Sequence, residues 1–67
     1  MDVRKRVGGN VRRLREKQGI SQEELADRAG LHRTYISGVE RGVRNPTIIV
    51  LERIGDALGV ELSLLTK

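Results

Sequence analysis

Apolar residues recur along the chain at intervals of three and four, the spacing that brings side chains to one face of an α-helix. The recurring positions near the start are Val3, Val7, Val11 and Leu14, with arginine and lysine between them. This pattern predicts a first helix that ends near Gly19. Gly8 and Gly9 lie inside it and cost about 1 kcal/mol each relative to alanine. The helix therefore begins either near the amino terminus or only at Asn10.

Residues 21–42 carry the signals of two short helices in succession. Ser21 followed by Glu24 is a capping box, which predicts a helix beginning at Gln22. Gly30 supplies the left-handed residue that ends it. A third helix over about residues 32–41 follows and ends at Gly42. The inward positions of these two helices are Leu25, Ala26, Ala29, Ile36 and Val39. Two short helices joined at a glycine predict a helix-turn-helix over about residues 21–42.

Two more helices are predicted in the last third of the chain. Asn45 and Pro46 suit the cap and first residue of a fourth helix. Gly59 ends it, and residues 61–65 have room for one short helix. The core positions of the fourth helix are Ile48, Leu51, Ile54, Ala57 and Leu58. Because no segment shows strand alternation, the sequence predicts an all-α fold: one domain, residues 1–67, built as a compact five-helix bundle with a central helix-turn-helix.

Length and composition exclude several classes of protein. A chain of 67 residues buries only about 60% of its unfolded surface, too little for a deep catalytic pocket, so we expect no enzyme. With no cysteine and one histidine, a disulfide framework, a Cys/His zinc site and a thiol nucleophile are excluded. We expect neither a metal nor a cofactor, and no small-molecule ligand is apparent. The longest apolar run has four residues, which predicts a soluble, cytoplasmic protein without a membrane segment.

Positive charge is concentrated in two segments. Residues 1–20 carry a net charge of +5 and residues 32–45 carry +2, and ten of the 13 cationic residues are arginine. The planar guanidinium suits phosphate oxygens and guanine edges better than the lysine ammonium does. This distribution favours a polyanionic partner. Solubility alone would also account for a chain with 33% charged residues, so charge leaves both interpretations open.

The third helix has the side chains that a DNA major groove could accept. The groove is about 12 Å wide and admits one α-helix. With Ile36 and Val39 inward, the residues expected to face outward are Arg33, Thr34, Ser37, Gly38 and Arg41. Arginine in the first turn could form paired hydrogen bonds with guanine O6 and N7, and threonine could contact a base or a phosphate. The glycine leaves room for close approach.

The segment SQEELADRAGLHRTYISGVERG, residues 21–42, resembles the helix-turn-helix of the Cro and phage-repressor family, also called the XRE type. The flanking segments RRLREKQGIS and RNPTIIVLERIGDALGV resemble the first and fourth helices of that family. The stretch RTYISGVERGVRNPT is similar to small restriction-modification controller proteins. The resemblance implies a lambda-repressor-like fold and a transcriptional regulator, repressor-like in type. It also implies a homodimer that binds a palindromic double-stranded DNA operator with the third helix in the major groove.

The resemblance also implies roles for individual residues. Arg33, Thr34 and Gly38 match base-contacting positions, and because glycine has no side chain, Ser37 is a fourth candidate. Gln22, at the positive end of the second helix, matches a phosphate contact. Further candidates for phosphate contacts are Tyr35, Arg41, Arg44 and Asn45. For Tyr35, a place at the edge of the core is the alternative.

Two charged residues are assigned to the fold by the resemblance. Arg15 and Glu40 match a partly buried ion pair that joins the first and third helices. The alternative for Glu40 is an ordinary surface carboxylate. Such a pair is weak evidence for net stability, but removal of one partner leaves an uncompensated charge.

The end of the chain supplies a candidate dimer surface. Ile49 lies off the core face of the fourth helix, and the last segment has more aliphatic surface than a one-turn helix easily hides. The expected contact residues are Ile49, Val60, Leu62, Leu64 and Leu65. The alternative is that these leucines close the monomer core.

Two other functions compete with transcriptional regulation. An antitoxin-like protein would mainly occupy a partner protein and bind DNA for autoregulation. A membrane-binding amphipathic helix over residues 3–17 is opposed by Gly8, Gly9, Glu16 and the lack of an aromatic anchor.

Overall fold

The computed structural model describes residues 2–67 and contains five α-helices in that range. They are α1 (Val3–Lys17), α2 (Gln22–Ala29), α3 (Arg33–Glu40), α4 (Ile48–Leu58) and α5 (Leu62–Thr66). Residues 2–67 form no strand, and the predicted all-α fold is confirmed. None of the helices in this range is long and apolar enough to cross a membrane.

All five helices contribute to one hydrophobic core. The large side chains that are fully buried are Val11, Leu25, Ile36, Val39, Ile54 and Leu65. Every inward position predicted for α2 and α3 is buried. Burial of these aliphatic side chains is the main force that holds the two helices of the helix-turn-helix against α1 and α4.

Local signals define both ends of α2. The Ser21 hydroxyl accepts a hydrogen bond from the Glu24 N–H at 3.0 Å, which is one of the two hydrogen bonds of a capping box. The Glu24 carboxylate accepts a hydrogen bond from Arg28 Nε at 2.9 Å, an i, i+4 pair that stabilises the exposed face. Gly30 has φ of 68°, and the Leu31 N–H donates to the Ala26 carbonyl at 2.8 Å. This closure fixes the direction in which the chain enters α3.

Helix α1 continues through both of its glycines. Asp2 caps it by accepting from the Arg4 N–H at 2.9 Å, and this hydrogen bond lowers the pKa of the Asp2 carboxyl. Gly8 is buried against the main chain of α3, so a tertiary contact outweighs the low helix propensity of glycine. The alternative start at Asn10 is therefore wrong. Val3, in the first turn, is 57% exposed and does not belong to the core.

Helix α4 begins two residues later than the sequence predicts. Its cap is Thr47, whose hydroxyl accepts from the Val50 N–H at 3.2 Å, whereas Asn45 and Pro46 lie in the preceding loop. Ile48 is 61% exposed, so its placement in the core is also wrong, because the first turn of α4 extends beyond the core. The predicted core positions that are buried are Leu51, Ile54 and Leu58, with Ala57 partly buried.

The buried side of α5 contains Leu65. Its side chain is fully buried, and its carbonyl accepts a hydrogen bond from Asn10 Nδ2 at 3.0 Å. The assignment of Leu65 to a dimer surface is therefore wrong, since this leucine belongs to the monomer core. Asn10 is itself buried and lies on the same helix face as Val7 and Val11. Its hydrogen bond satisfies a polar group that burial would otherwise leave unpaired.

Candidate nucleic-acid interface

One face of α3 is polar and exposed. Arg33, Thr34 and Arg41 are exposed and Ser37 is partly exposed, whereas Ile36 and Val39 are buried. The core therefore holds one side of α3 and leaves the other side available for a partner. This separation of a buried and an exposed side follows from the sequence of α3. Ile36 and Val39 are three residues apart and therefore lie on one side of a helix of only eight residues.

A hollow lies beside the first turn of α2 and the exposed face of α3. Its volume is about 170 Å³, and it is lined by Gln22, Arg33, Thr34, Ser37 and Arg41. Every lining side chain carries a hydrogen-bond donor, two of them are cations, and none is a carboxylate. The positive end of the α2 dipole lies at the same place. The chemistry of this hollow suits an anion such as a DNA phosphate.

A largely buried ion pair joins α1 to the end of α3. Arg15 Nε donates to Glu40 Oε2 at 2.6 Å, and Arg15 Nη2 donates to Glu40 Oε1 at 3.0 Å. The side chains are 12% and 2% exposed, so Glu40 is no surface carboxylate. The hydrogen bonds from Arg15 to Glu40 raise the pKa of the guanidinium. Arg15 Nη1 also donates to the Ile20 carbonyl at 2.8 Å, and the pair thereby joins α1, α3 and the loop before α2.

Gln22 is held by the same carboxylate. Its Nε2 donates to Glu40 Oε1 at 3.1 Å, a contact that periodicity and capping signals do not predict. An amide nitrogen carries two hydrogens, so this bond leaves one donor for a phosphate oxygen. Glu40 therefore orients Gln22 at the edge of the hollow while it neutralises Arg15.

The second half of α3 differs from the sequence expectation. Gly38 is buried, because the methylene groups of Arg44 cover it. The Arg44 guanidinium carbon lies 5.7 Å from the centroid of the Tyr35 ring, within the range of a cation–π interaction. Tyr35 is partly buried and packs against the core. Gly38 lies on the outward side of α3, but the expectation that it is exposed is wrong, since Arg44 from the following loop covers it.

The remaining predicted contact residues lie around the end of α3. Arg41 is exposed, and its Nε donates to the Ser37 carbonyl at 3.4 Å. Asn45 is exposed in the loop before α4. His32 is the exposed residue before α3, and its side chain makes no capping hydrogen bond. Within residues 2–67, no group of three or more histidine, aspartate and glutamate side chains could hold a metal ion.

Comparison with known proteins agrees with this architecture. The sequence profile of the helix-turn-helix family HTH_3 matches residues 11–65, and the chain belongs to this family, of the XRE type. An uncharacterized HTH-type transcriptional regulator, y4dJ of Sinorhizobium fredii, is 52% identical over 60 residues, which cover 90% of this chain and 78% of y4dJ. Control protein C.BamHI of Bacillus amyloliquefaciens is 48% identical over 61 residues, 90% of this chain and 75% of that protein.

Solved structures show the same fold. The restriction-modification controller protein C.AhdI from Aeromonas hydrophila matches with a TM-score of 0.91 and 40% identity, over 92% of this chain and 94% of that chain. The hypothetical transcription factor NHTF from Neisseria matches with a TM-score of 0.94 and 42% identity, over 98% of this chain and 76% of that one. The resemblance to restriction-modification controllers stated from the sequence is thereby confirmed.

Proposed function

We propose that this protein is a transcriptional regulator that binds a specific double-stranded DNA operator with α3 in the major groove. The observation that carries the proposal is the exposed polar face of α3 beside a donor-lined hollow, on a helix-turn-helix fixed by a buried ion pair. The related proteins named above support it, because they are named as transcriptional regulators and control proteins. Binding to operator DNA would place the protein in the cytoplasm.

The candidate contact residues divide into base contacts and phosphate contacts. Arg33 and Thr34 lie in the first turn of α3, the part of a recognition helix that reaches base edges, and Ser37 follows one turn later. The residues proposed to contact phosphates are Gln22, Tyr35, Arg41, Arg44 and Asn45. Phosphate contacts orient the protein, whereas the α3 side chains discriminate between sequences.

We also propose that the protein binds as a homodimer through α4 and the segment after it. Ile49 is 70% exposed. Glu52 and Asp56, three and seven residues after it on the same helix face, line a groove together with Val60 and Leu62. An exposed aliphatic side chain therefore lies on the helix face that borders this groove, and Leu64, near the chain end, is partly exposed. Two linked recognition helices would contact half-sites about 34 Å apart.

Selection of bound DNA from a random duplex pool tests the function directly. We expect the enriched sequences to share a palindrome, because a two-fold symmetric dimer presents the same side chains to each half-site. A pool from which no sequence is enriched would contradict operator recognition. It would favour the antitoxin-like alternative, in which the main partner is a protein.

Replacement of Arg33 by alanine tests base recognition. We expect Arg33→Ala to lose about 1 to 3 kcal/mol of affinity for the selected operator and much less for a scrambled duplex. Arg44→Ala is expected to weaken binding to both duplexes by a similar factor, since a phosphate contact is independent of sequence. Fluorescence anisotropy titrations at one fixed salt concentration measure the affinity of each variant for the operator and for the scrambled duplex.

Arg28→Ala is the matched control for these two variants. Arg28 is an exposed arginine of α2 that pairs with Glu24, outside the hollow. Arg28→Ala removes one positive charge, as the other two variants do. It is expected to change neither the affinity for the operator nor the ratio of operator affinity to scrambled-duplex affinity appreciably. An unchanged preference for the operator in Arg33→Ala would show that Arg33 does not contact bases.

Replacement of Ile49 by glutamate tests the dimer. We expect the wild-type chain to dimerise at tens of micromolar and Ile49→Glu to weaken dimerisation by about tenfold or more, because a buried charge without a partner is costly. Val43→Glu is the control, since Val43 is 61% exposed in the loop after α3. Sedimentation equilibrium without DNA measures all three. A monomeric wild type, or equal association of both variants, would rule out this interface.

A further inference from the structure

We infer that Gly38 is a positioning residue for Arg44. Its missing side chain creates the space in which Arg44 crosses α3 and lies over Tyr35, an arrangement of Gly38, Tyr35 and Arg44 that we name the Arg44–Tyr35 stack. The stack places a cation on the DNA-facing side of α3 before DNA arrives. The effect of the Arg44–Tyr35 stack on DNA binding rests on the proposed function, whereas the stack itself can be tested for without DNA.

The space at Gly38 is filled by the stem of Arg44. A Cβ atom on Gly38 would lie 2.5 Å from Arg44 Cγ and 3.6 Å from both Cβ and Cδ of Arg44. Optimal carbon–carbon contacts are about 3.5 to 4.0 Å, so the first of these distances is a severe overlap. Because Cγ is close to the backbone, the overlap is relieved only when the whole Arg44 side chain changes its rotamer.

The backbone of Arg44 has little freedom to move away instead. The Gly38 carbonyl accepts hydrogen bonds from the Val43 N–H at 2.9 Å and from the Arg44 N–H at 3.1 Å. Gly42, with φ of 75°, makes the reversal that brings these amides back to α3. A side chain at position 38 would therefore displace the guanidinium from the Tyr35 ring rather than shift the loop as a unit.

The position of Gly38 explains why this arrangement matters for DNA. Position 38 follows Thr34 by four residues and precedes Arg41 by three, so it lies on the same side of α3 as these exposed residues. The Arg44 side chain occupies the space that a side chain at position 38 would otherwise fill. A guanidinium already held against Tyr35 has less rotational freedom to lose when it binds a phosphate.

Gly38→Ala is the variant that tests the inference, with Gly9→Ala as its matched control. Both glycines are helical, but a Cβ on Gly9 would meet nothing within 4 Å. Alanine is the better helix former at either site, so neither change is expected to unfold the protein. Thermal unfolding followed by circular dichroism verifies that each variant is folded.

Tyr35 is the only aromatic residue of the chain, and its ring protons report on the stack by NMR without DNA. We expect nuclear Overhauser contacts between the Arg44 methylenes and the Tyr35 ring in the wild type and in Gly9→Ala. They should be lost in Gly38→Ala, and the ring signals should move toward those of Arg44→Ala. Retention of the wild-type contacts in Gly38→Ala would overturn the inference.

DNA affinity supplies the second measurement. We expect Gly38→Ala to weaken operator binding by about fivefold, the effect of freeing one long side chain. In an Arg44→Ala background the same change should have no further effect, since Gly38 acts only through Arg44. If Gly38→Ala weakens operator binding as strongly in the Arg44→Ala background as in the wild type, Gly38 itself approaches DNA and the inference is overturned. A wild-type chain that binds no DNA would refute the proposed function, and the Tyr35 contacts would still decide whether the stack exists.

Discussion

Replacement of Glu40 by alanine is expected to lower the free energy of unfolding by about 3 to 5 kcal/mol, the usual cost of breaking a buried ion pair. The reason is that Glu40, 2% exposed, accepts two hydrogen bonds from Arg15 and one from Gln22. Its loss leaves the Arg15 guanidinium mostly buried without a counter-charge. For a domain of this size, the midpoint of thermal unfolding should fall by more than about 10 °C.

Two further variants separate this effect from a general sensitivity to mutation. Glu52→Ala removes an exposed carboxylate of α4 and should change stability by less than about 0.5 kcal/mol at protein concentrations at which the chain is monomeric. Arg15→Met combined with Glu40→Ala removes the uncompensated charge but keeps an unbranched apolar side chain, so the double variant should be more stable than Glu40→Ala alone. Equal unfolding midpoints for Glu40→Ala and Glu52→Ala would contradict the role of the pair.

The helix-turn-helix was predictable because its signals are local. The Ser21 cap and the glycines at 30 and 42 lie within a few residues of the helix ends that they define. The spacing of Ile36 and Val39 then determines which side of α3 meets the core. These features correctly predict that Arg33 and Thr34 are exposed.

Features that depend on distant contacts were not predictable in the same way. The start of α1 depends on the packing of Gly8 against α3, more than 30 residues away. The buried position of Leu65 depends on its packing against Gly55 of α4 and on the hydrogen bond from Asn10. Asn10 did carry a signal, because it lies on the helix face of Val7 and Val11, where a polar residue is expected to be buried and paired.

The candidate site shows the same distinction. Arg15 and Glu40 are 25 residues apart, and no periodicity connects them, so only the family resemblance suggested the pair. The position of Arg44 over Gly38 depends on how a loop returns to its own helix. Local pattern therefore predicts exposure within the helix-turn-helix at Arg33 and Thr34 but not at Gly38, which a distant loop covers, and the partner of a side chain across the fold requires the structure.

Adjacent glycines in α1 are expected to respond to alanine with opposite signs. A Cβ on Gly8 would overlap the main-chain carbonyl oxygen of Val39 and lie 2.8 Å from that of Glu40. These oxygens belong to the backbone of α3 and cannot turn away as a flexible side chain could, so Gly8→Ala should destabilise the fold by about 1 to 3 kcal/mol. Gly9→Ala meets nothing within 4 Å and should stabilise it by about 0.5 to 1 kcal/mol.

Urea unfolding followed by circular dichroism gives both free energies from one type of measurement. Each variant adds the same methyl group to the same helix, so the difference in helix propensity cancels and the difference between the two values isolates the α1–α3 contact. Because that contact holds the carboxyl end of α3, Gly8→Ala should also weaken operator binding under conditions where it remains folded. Stabilisation by both alanines would show that α1 and α3 do not approach at Gly8.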